Sequence, residues 1–378
     1  MSETVLMLTR AERLVAATAS TVLVTALIGT SYAAESQPRP ATIRVQAPTV
    51  VSPPTLGPIA RLTAPKQAAP KQPPARAAVR RPVPPAPPQA GCPVPKRRGS
   101  KPFLPKPLPA PKLADAVLPA PLPPGPKATS LAAVSGKGIW VTNWKDTDVD
   151  VPGIVARAKQ AGLRSVWVRT GGSKQGYYGD RILPELVPAA HAAGLTVIAW
   201  DFPFLSDPLA DAERARKALA TGIDAFAPDV ETSYEGTYAT SRRVTLYLSL
   251  VRQYAGDRPI AATVPRPTPM RRASFPYAAF APYADVFVPM VYWSCNEPGK
   301  LVGQSLRELG RWLPVHPVGQ GYDMGSEGGR RGVPTYQETL RFLDYARRGG
   351  AVGASLWTIE RVGTGQWQAL RSYRWPGR

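Results

Sequence analysis

The stretch GIWVTNW (138–144), with VPGIVARAKQAG (151–162) and SVWVRT (165–170) after it, alternates between two kinds of apolar pattern. The first and third segments are short runs rich in Val, Ile and Trp, which is typical of buried strands. The middle segment has helical periodicity and ends in a glycine that suits a helix C-cap. The order strand, helix, strand predicts parallel strands joined by a helical crossover.

This alternation continues along the chain as far as residue 360. Including the two runs above, eight strand-then-helix units over about 240 residues predict a single (β/α)8 barrel of the α/β class, the TIM barrel. An open, doubly wound sheet is the alternative, but no glycine-rich phosphate loop follows the first strand. The six further runs are TVIAWDF (196–202), AFAPDVE (225–231), PIAATVP (259–265), DVFVPMVYW (285–293), HPVGQGYD (316–323) and AVGASLWTIE (351–360).

The chain before the barrel divides into two segments of unusual composition. Residues 1–33 combine a basic start, an apolar stretch and a small-residue ending, so we expect a secretory signal peptide or, alternatively, an uncleaved membrane anchor. Residues 34–135 consist mainly of Pro, Ala, Lys and Arg, which predicts a disordered, semi-stiff linker. The barrel domain is then expected over residues 136–378, in the secreted fraction or the cell envelope.

Most of the positive charge lies in the linker. The chain has a formal net charge of +21, and residues 31–135 hold fifteen Lys and Arg against two acids. An extended basic segment outside a membrane has anionic cell-wall polymers or a membrane surface as its expected partners, unless it serves only as a solubilising spacer. Nucleic acid is not an expected partner, because no nucleic-acid-binding module accompanies the segment. We expect the protein to be a monomer.

Two cysteines and two histidines limit the chemistry of the chain. Cys92 and Cys295 either form a disulfide, as an oxidising compartment allows, or remain two free thiols. His191 lies inside a predicted helix, and His316 lies at the start of the seventh strand, away from the expected active-site rim. A Ser-His-Asp mechanism and a histidine-based zinc site are therefore not expected, and neither a metal nor a cofactor is predicted.

In a barrel of this type, residues at the carboxyl ends of the strands face the active site, whereas the opposite rim mainly stabilises the fold. The strand ends of this chain are rich in acids and aromatics. This combination suits glycosidic bonds, because sugar rings stack on Trp and Tyr while a carboxylic acid protonates the leaving oxygen. The candidates are Asn143, Trp144, Arg169, Asp201, Asp229, Glu231, Tyr292, Trp293, Gln320, Tyr322, Asp323, Trp357 and Glu360.

Asp229 and Glu231, in the run AFAPDVE, are the sharpest feature of this rim. Residues two apart in a strand project from the same face. Two carboxylates held that close are not both fully ionised without a penalty, so one is expected to have a raised pKa and to remain a proton donor. Glu231, nearer the barrel mouth, is the expected general acid, with Asp229 as its partner. The alternative is that both acids pair with Arg169 or other basic residues in a structural network.

The start of the barrel resembles known sugar-cleaving enzymes. GIWVTNW, followed by ARAKQAGLRSVWVRTGG (156–172), is similar to the opening of the family 25 lysozymes, whose Asp-x-Glu on the fourth strand matches residues 229–231. GIWVTNW, AAHAAGLTVIAWDF (189–202) and VFVPMVYWS (286–294) also resemble the glycosidase-like barrels of bacterial envelopes. Both resemblances lie within the glycoside hydrolase superfamily of TIM barrels.

A third resemblance is to the family 18 chitinases. The end of their motif matches Asp229 and Glu231, and the resemblance implies that Glu231 is the acid and that Asp229 supports the acetamido group of an N-acetyl sugar. Positions on strands six and eight of those chitinases match Met290, Tyr292 and Trp357.

These resemblances imply an exported glycoside hydrolase-like protein that acts on a cell-envelope polysaccharide with N-acetyl sugars. The lysozyme Asp of strand one falls at Trp140, and the chitinase Asp after the strand-six Tyr falls at Trp293. A non-catalytic barrel that binds cell-wall glycan, or an envelope scaffold without a sugar ligand, is therefore the alternative. The expected substrate-binding residues are Asn143, Trp144, Arg169, Asp201, Tyr292, Trp293, Tyr322, Asp323 and Trp357.

Overall fold

Eight parallel strands alternate with eight α-helices in the computed structural model, which describes residues 92, 107–142, 144, 150–327 and 329–375. None of the helices in these ranges is long and apolar enough to span a membrane. The strands are β1 (Gly136–Val141), β2 (Ser165–Gly172), β3 (Thr196–Phe202), β4 (Ala225–Pro228), β5 (Ala261–Pro265), β6 (Val286–Val291), β7 (Val318–Gln320) and β8 (Gly353–Trp357). The helices are α1 (Val151–Gln160), α2 (Leu183–Ala192), α3 (Pro208–Leu219), α4 (Ser241–Ala255), α5 (Pro269–Ser274), α6 (Pro298–Leu309), α7 (Tyr336–Arg348) and α8 (Thr364–Ser372).

The strands close into a barrel. Each strand is hydrogen-bonded in parallel to its neighbours, in the order β4-β3-β2-β1-β8-β7-β6-β5. Two isolated bridges join the segments around β4 and β5, Phe226 with Ile260 and Asp229 with Thr263. A two-residue strand, Gly176–Tyr177, pairs antiparallel with the end of β2. The predicted (β/α)8 barrel is therefore confirmed, and the open sheet is excluded.

Side chains alternate between the barrel interior and the helix layer with the period of two that a strand imposes. The interior holds Trp140, Trp167 and Trp200 from β1, β2 and β3, all of them buried. Ala225 and Ala227 of β4 belong to the same interior cluster, and their small size leaves room for the three indole rings. The barrel is thus filled by large rings on one side and small side chains on the other, as a packed core and not a pore.

The helices begin and end at residues that the sequence marks. Asp150 and Asp207 act as N-caps and accept a hydrogen bond from the third backbone N–H of α1 and α3, at 2.8 and 3.0 Å. Gly162, Gly194 and Gly222 follow α1, α2 and α3 with φ of 60°, 73° and 81°, in the left-handed region that favours glycine. Each of these helices therefore stops there, and the chain turns into the next strand.

Residues 131–135 close the amino-terminal end of the barrel. Val134 is fully buried among the interior side chains. His316 is also fully buried, and its Nδ1 donates to the Val134 carbonyl oxygen at 2.7 Å. Burial lowers the pKa of His316 to about 4, so the imidazole is neutral near pH 7. His316 therefore lies at the stabilising rim, as the sequence predicts.

The last part of the predicted linker is folded. Residues 107–135, which we call the strap, lie along the helices of the barrel. Arg243 of α4 forms an ion pair with Asp115 at 2.6 Å, and its Nη2 donates to the Leu113 carbonyl oxygen at 2.5 Å. An extended, proline-rich chain has few backbone hydrogen bonds of its own, so the barrel supplies partners for its carbonyl groups. The predicted signal segment and most of the linker lie outside the described residues.

Cys92 and Cys295 form a disulfide, which decides between the two alternatives that the sequence left open. The bridge joins positions separated by 203 residues. Cys295 lies between β6 and α6, at the rim to which the carboxyl ends of the strands point. A link between such distant positions restricts the unfolded chain, so we expect it to stabilise the fold.

Trp167→Ala is expected to destabilise the barrel strongly. Trp167 is fully buried, stacks on Trp140 at 4.8 Å between ring centroids, and donates its indole N–H to Ser165 Oγ at 2.9 Å. Removal of such a ring costs roughly 3–5 kcal/mol of unfolding free energy, measurable by urea unfolding followed by circular dichroism. Trp312→Ala, at a side chain that is 39% exposed, is the control with a smaller loss. A loss below about 1 kcal/mol for Trp167→Ala would contradict a packed interior.

Candidate active site

A cleft of about 490 Å³ opens at the carboxyl ends of the barrel strands. Its walls come from the segments that follow β4 to β8, where barrels of this type carry their functional residues. In the part of the chain that the structure describes, no group of three or more His, Cys, Asp or Glu is placed to hold a metal ion. The charged residues that line the cleft are Asp229, Glu231, Glu235, Glu327, Arg266 and Arg271.

The predicted pair, Asp229 and Glu231, lies in this cleft. The period of two that holds along β4 continues to positions 229 and 231, while Val230 packs in the helix-facing core. Backbone hydrogen bonds hold the segment to both neighbouring strands, from Asp229 N to the Asp201 carbonyl at 2.8 Å and from Val230 N to the Thr263 carbonyl at 3.0 Å. The two carboxyl groups therefore project from one fixed piece of backbone.

Neither carboxyl group forms an ion pair. No Lys, Arg or His nitrogen of the described residues comes within 4.0 Å of the Asp229 or Glu231 carboxyl oxygens. Asp229 is only 4% exposed, and its Oδ1 atom is buried without a hydrogen-bond partner in the described ranges. A structural ion-pair network with Arg169, the alternative considered from the sequence, is therefore not what holds these acids in place.

Burial and mutual repulsion raise the pKa of both acids. For Asp229, burial raises the pKa to about 7, with Arg169 opposing the shift and Glu235 adding to it. For Glu231, burial and then the charges of Asp229 and Glu235 hold the pKa well above its usual range, against the opposing charge of Arg271. Coupled acids release their protons in two steps, so the pair keeps a proton near neutral pH. Glu231 is the better candidate to carry it.

Two further acids in the cleft are not among the residues that the sequence predicts. Glu235 ends a short 3-10 turn after β4, and its carboxylate accepts hydrogen bonds from the backbone N–H and the hydroxyl of Thr232 at 3.1 and 2.5 Å. This capping box has a sequence signature, T-x-x-E, that could have marked the turn. Glu327 lies between β7 and α7 and accepts a hydrogen bond from Tyr322 Oη at 3.1 Å. No sequence pattern points to that position.

Three aromatic side chains, together with Met290 and Met324, form the apolar part of the cleft. Tyr292 and Tyr322 meet edge to face, with ring centroids 5.6 Å apart. Trp357, at the end of β8, packs on Trp140 and Trp200 with centroids 5.5 and 5.1 Å away. The interior cluster of indole rings therefore continues into the cleft. Rings that are held in this way offer flat apolar faces on which a sugar can stack.

A second cavity, of about 500 Å³, lies at the same end of the barrel beside β1 and β2. The predicted residues Trp144 and Arg169 line this cavity and not the acidic cleft. Trp144 Nε1 donates to the Arg169 carbonyl oxygen at 3.2 Å, and the Arg169 guanidinium lies over the ring of Trp200, 5.0 Å from its centroid. The predicted residues thus divide between two cavities.

Trp293 and Asp201 line neither cavity, so their predicted contact with substrate was wrong. Trp293 is fully buried in the helix-facing core and stacks on Phe342 of α7, with centroids 5.3 Å apart. Asp201 also faces the helices and pairs with Arg214 of α3 at 2.8 Å. Each follows an inward-facing residue by one position, and the period of two turns it outward.

Asp323 lies outside both cavities, so its contact with substrate stays a prediction. Its side chain is exposed, and Oδ1 accepts a hydrogen bond from the Gly325 N–H at 2.7 Å. Gln320 is fully buried and supports the site from below, since it accepts from Ser294 N–H at 2.7 Å and donates to the Tyr322 carbonyl at 2.9 Å. Asn143 lies outside the described residues.

Neither a scan against protein-family models nor a search of curated proteins gives a match. Solved structures are similar at low identity. A chitinase from Chromobacterium violaceum has 10% identity and a TM-score of 0.49, over 64% of this chain and 100% of that chain. A spore cortex-lytic enzyme from Bacillus megaterium has 9% identity and a TM-score of 0.47, over 62% and 73% of the two chains. An endo-1,4-beta-D-mannanase from Thermotoga petrophila has 11% identity and a TM-score of 0.47, over 63% and 99%.

These similarities concern the path of the chain. The strand order of this chain by itself gives the (β/α)8 barrel that the sequence indicates. The roles of individual residues follow from the geometry of the cleft alone.

The change in unfolding free energy caused by Asp229→Asn is expected to become more favourable to the folded state as the pH rises. Burial raises the folded pKa of Asp229 to about 7, above the value of about 4 in the unfolded chain. Between these values the folded protein keeps a proton that the unfolded chain has lost, so the wild type loses stability as the pH rises. The variant has no such loss. The measurement is urea unfolding of both proteins at about pH 5 and about pH 7.5. The unfolding free energy of the variant, relative to that of the wild type, should be higher at the higher pH.

Asp323→Asn is the control for this experiment. Backbone N–H groups lower the pKa of Asp323, so it is ionised in the folded and the unfolded chain at both pH values. Its free-energy difference from the wild type should be the same at each pH. The raised pKa of Asp229 would be contradicted by an equally constant difference for Asp229→Asn.

Proposed function

We propose that the protein is an exported glycoside hydrolase that cleaves a cell-envelope polysaccharide by acid catalysis. The observation that carries the proposal is the pair of carboxyl groups of Asp229 and Glu231, which have no ion-pair partner among the described residues and lie in an open cleft with aromatic walls. Cleavage of a glycosidic bond requires a proton for the leaving oxygen and negative charge near the developing positive charge of the sugar ring. A neutral acid beside an ionised one meets both needs.

Glu231 is the proton donor in this proposal. Its pKa is raised well above the usual range, so it keeps its proton at a pH at which an exposed glutamate is ionised. Its side chain is partly exposed in the cleft, where a glycosidic oxygen can reach it. After the proton has gone to the leaving oxygen, Glu231 is an anion that can take a proton from the attacking water.

Asp229 is the partner that positions the substrate. Its Oδ1 atom is buried and lacks a hydrogen-bond partner in the described residues, which is costly unless a ligand supplies a donor. The amide N–H of an N-acetyl sugar is such a donor. A hydrogen bond to Asp229 would turn the acetamido oxygen toward the anomeric carbon, as substrate-assisted hydrolysis requires.

The rest of the cleft suits a sugar chain. Trp357, Tyr292 and Tyr322 offer stacking surfaces, and the two tyrosines carry hydroxyl groups at the same wall. Glu235 and Glu327 add negative charge, which favours the positive charge that develops on the sugar in the transition state.

Export and attachment to the envelope are part of the proposal. The Cys92–Cys295 disulfide supports export, because structural disulfides persist in oxidising compartments and are rare in the cytosol. Thirteen of the fifteen Lys and Arg of residues 31–135 precede the strap, and their charge favours contact with anionic cell-wall polymers or a membrane surface. We propose that the protein acts there as a monomer.

Glu231→Gln is expected to abolish hydrolysis with the fold intact. Glutamine has the same size but cannot donate the proton, and loss of a general acid lowers rates by roughly a hundredfold to ten-thousandfold. The measurement is the release of reducing ends from peptidoglycan, chitin oligosaccharides and mannan by the full chain. Glu213→Gln is the matched control, because Glu213 is an exposed residue of α3 that pairs with Arg216.

The outcomes separate cleavage from binding. Full activity of Glu231→Gln would show that Glu231 is not the acid. If the wild type binds purified glycan but releases no reducing ends from any of the polymers, the non-catalytic glycan-binding barrel replaces the hydrolase. Circular dichroism of each variant verifies that the barrel is folded.

A further inference from the structure

The cavity beside β1 and β2 has a chemistry unlike that of the acidic cleft. Among the described residues, no Asp or Glu lines it, whereas Arg169 and Arg181 do. Gln175, Tyr178 and Trp144 complete most of the wall with amide, hydroxyl and indole groups. At about 500 Å³, the cavity is large enough for one sugar unit and its substituents. Its lining is therefore suited to a negatively charged ligand.

Both arginines are available for such a ligand. No carboxylate oxygen of the described residues comes within 4.0 Å of Arg169 or Arg181. Arg169 Nε makes only a long hydrogen bond, 3.4 Å, to the Gly171 carbonyl oxygen. The guanidinium lies over Trp200, 5.0 Å from the ring centroid, within the range of a cation–π contact. Its two terminal nitrogens thus remain without a protein acceptor in the described part of the chain.

A short hairpin fixes the outer wall of the cavity. Gly171 and Gly172, at the end of β2, pair with the two-residue strand Gly176–Tyr177. A Cβ on Gly171 would lie 3.0 Å from the Gly176 carbonyl oxygen, so the two chains approach as closely as glycine permits. A Cβ on Gly172 would meet Gln175 Oε1 at 2.7 Å and Arg169 Nη2 at 3.3 Å. The amide and the guanidinium are therefore held side by side.

Several acids lie near the cavity, and none of the described ones lines it. Asp201 and Asp229 interact with the charge of Arg169 without an ion pair to it in the described residues. Glu360 accepts a hydrogen bond from the backbone N–H of Thr142 at 2.7 Å. Asp180 raises the pKa of Tyr177 as a secondary effect after burial. The positive charge of the two arginines is thus not cancelled by an ion pair at the cavity wall.

One indole ring connects this cavity to the acidic cleft. The Arg169 guanidinium lies 5.0 Å from the Trp200 ring centroid. The Trp357 ring centroid lies 5.1 Å from that of Trp200. Trp357 lines the cleft that contains Glu231. Arg169 of one cavity and Trp357 of the other therefore lie against the same buried ring, which places the two cavities close together at the barrel mouth.

We propose that the cavity beside β1 and β2 is a subsite for an anionic group, a carboxylate or phosphate carried by a sugar unit next to the one that is cleaved. The guanidinium fork matches both groups, because each offers two oxygens to parallel N–H donors. The substrate class is then an acidic polysaccharide. The position of the cleaved bond rests on the proposed function, whereas the binding of the anion does not.

The test measures binding without turnover, in the full chain carrying Glu231→Gln. Isothermal titration calorimetry compares a tetrasaccharide of alternating N-acetylglucosamine and glucuronate with the neutral N-acetylglucosamine tetrasaccharide. The acidic ligand is expected to bind more tightly. Arg181→Gln in the same background should weaken the acidic ligand by about tenfold, the loss of one charge-assisted hydrogen bond, and leave the neutral ligand unchanged. The same comparison of affinities with N-acetylglucosamine 1-phosphate as the acidic ligand tests whether the cavity also binds a phosphate group.

Two further variants test whether the effect on affinity comes from the arginines of the cavity and from the shape of the guanidinium group. Arg216→Gln removes one exposed positive charge on α3, away from the cavity, and should change neither affinity. Arg169→Lys keeps the charge but removes the fork, so it should weaken the acidic ligand and spare the neutral one. The proposal is overturned if acidic and neutral ligands bind equally, or if Arg181→Gln weakens both alike. Acid-selective binding by a protein that cleaves no glycan would overturn the proposed hydrolase and leave this subsite standing.

Discussion

The alternation of side chains along eight parallel strands is the constraint on which the rest of this structure depends. Once the barrel closes, each strand residue faces either the interior or the helices. The period of two places Trp140 and Trp167 in the interior, where their rings stack. The same period places Asp229 and Glu231 at the mouth of the barrel. It also sends Trp293 outward to Phe342. The core and the site are therefore two consequences of one pattern.

The packed interior also sets the electrostatics of the site. The indole cluster extends from the barrel centre to Trp357, which lines the same cleft as the two acids. Burial is the main cause of the raised pKa of both Asp229 and Glu231. Arg169, on the far side of Trp200, opposes the shift of Asp229 without pairing with it. Burial at this end of the barrel thus favours the protonated form of one carboxyl group. The indole rings lie between the acidic cleft and the arginine-lined cavity beside β1 and β2.

The sequence predicted most of the fold, because strands and helices differ in period and several helices have capping residues at their ends. Gly162 and Gly194 have the left-handed conformation that their position after a helix implies. The strap was missed, since its proline-rich composition gives no sign that Arg243 and other barrel side chains will satisfy its carbonyl groups. Composition predicts how a segment behaves in isolation, whereas the strap is ordered because barrel side chains donate hydrogen bonds to its backbone.

Side-chain positions at the rim agree with the sequence where the period of two was applied, and differ from it where the period was not applied. Asp229 and Glu231 were counted along a strand, and both lie in the cleft. Trp293 and Asp201 were chosen because they end a strand, without the count that turns them outward. Glu327 comes from a connecting segment whose path depends on the whole barrel, so no local pattern marks it.

The central claim is that the buried pair Asp229 and Glu231 holds a proton near neutral pH. A carbon-13 NMR titration of side-chain carboxyl groups, assigned through Asp229→Asn and Glu231→Gln, measures this directly. The account predicts that the pair releases its last proton only above about pH 7. Two carboxyl groups that both ionise near pH 4, the usual range of exposed acids, would contradict it.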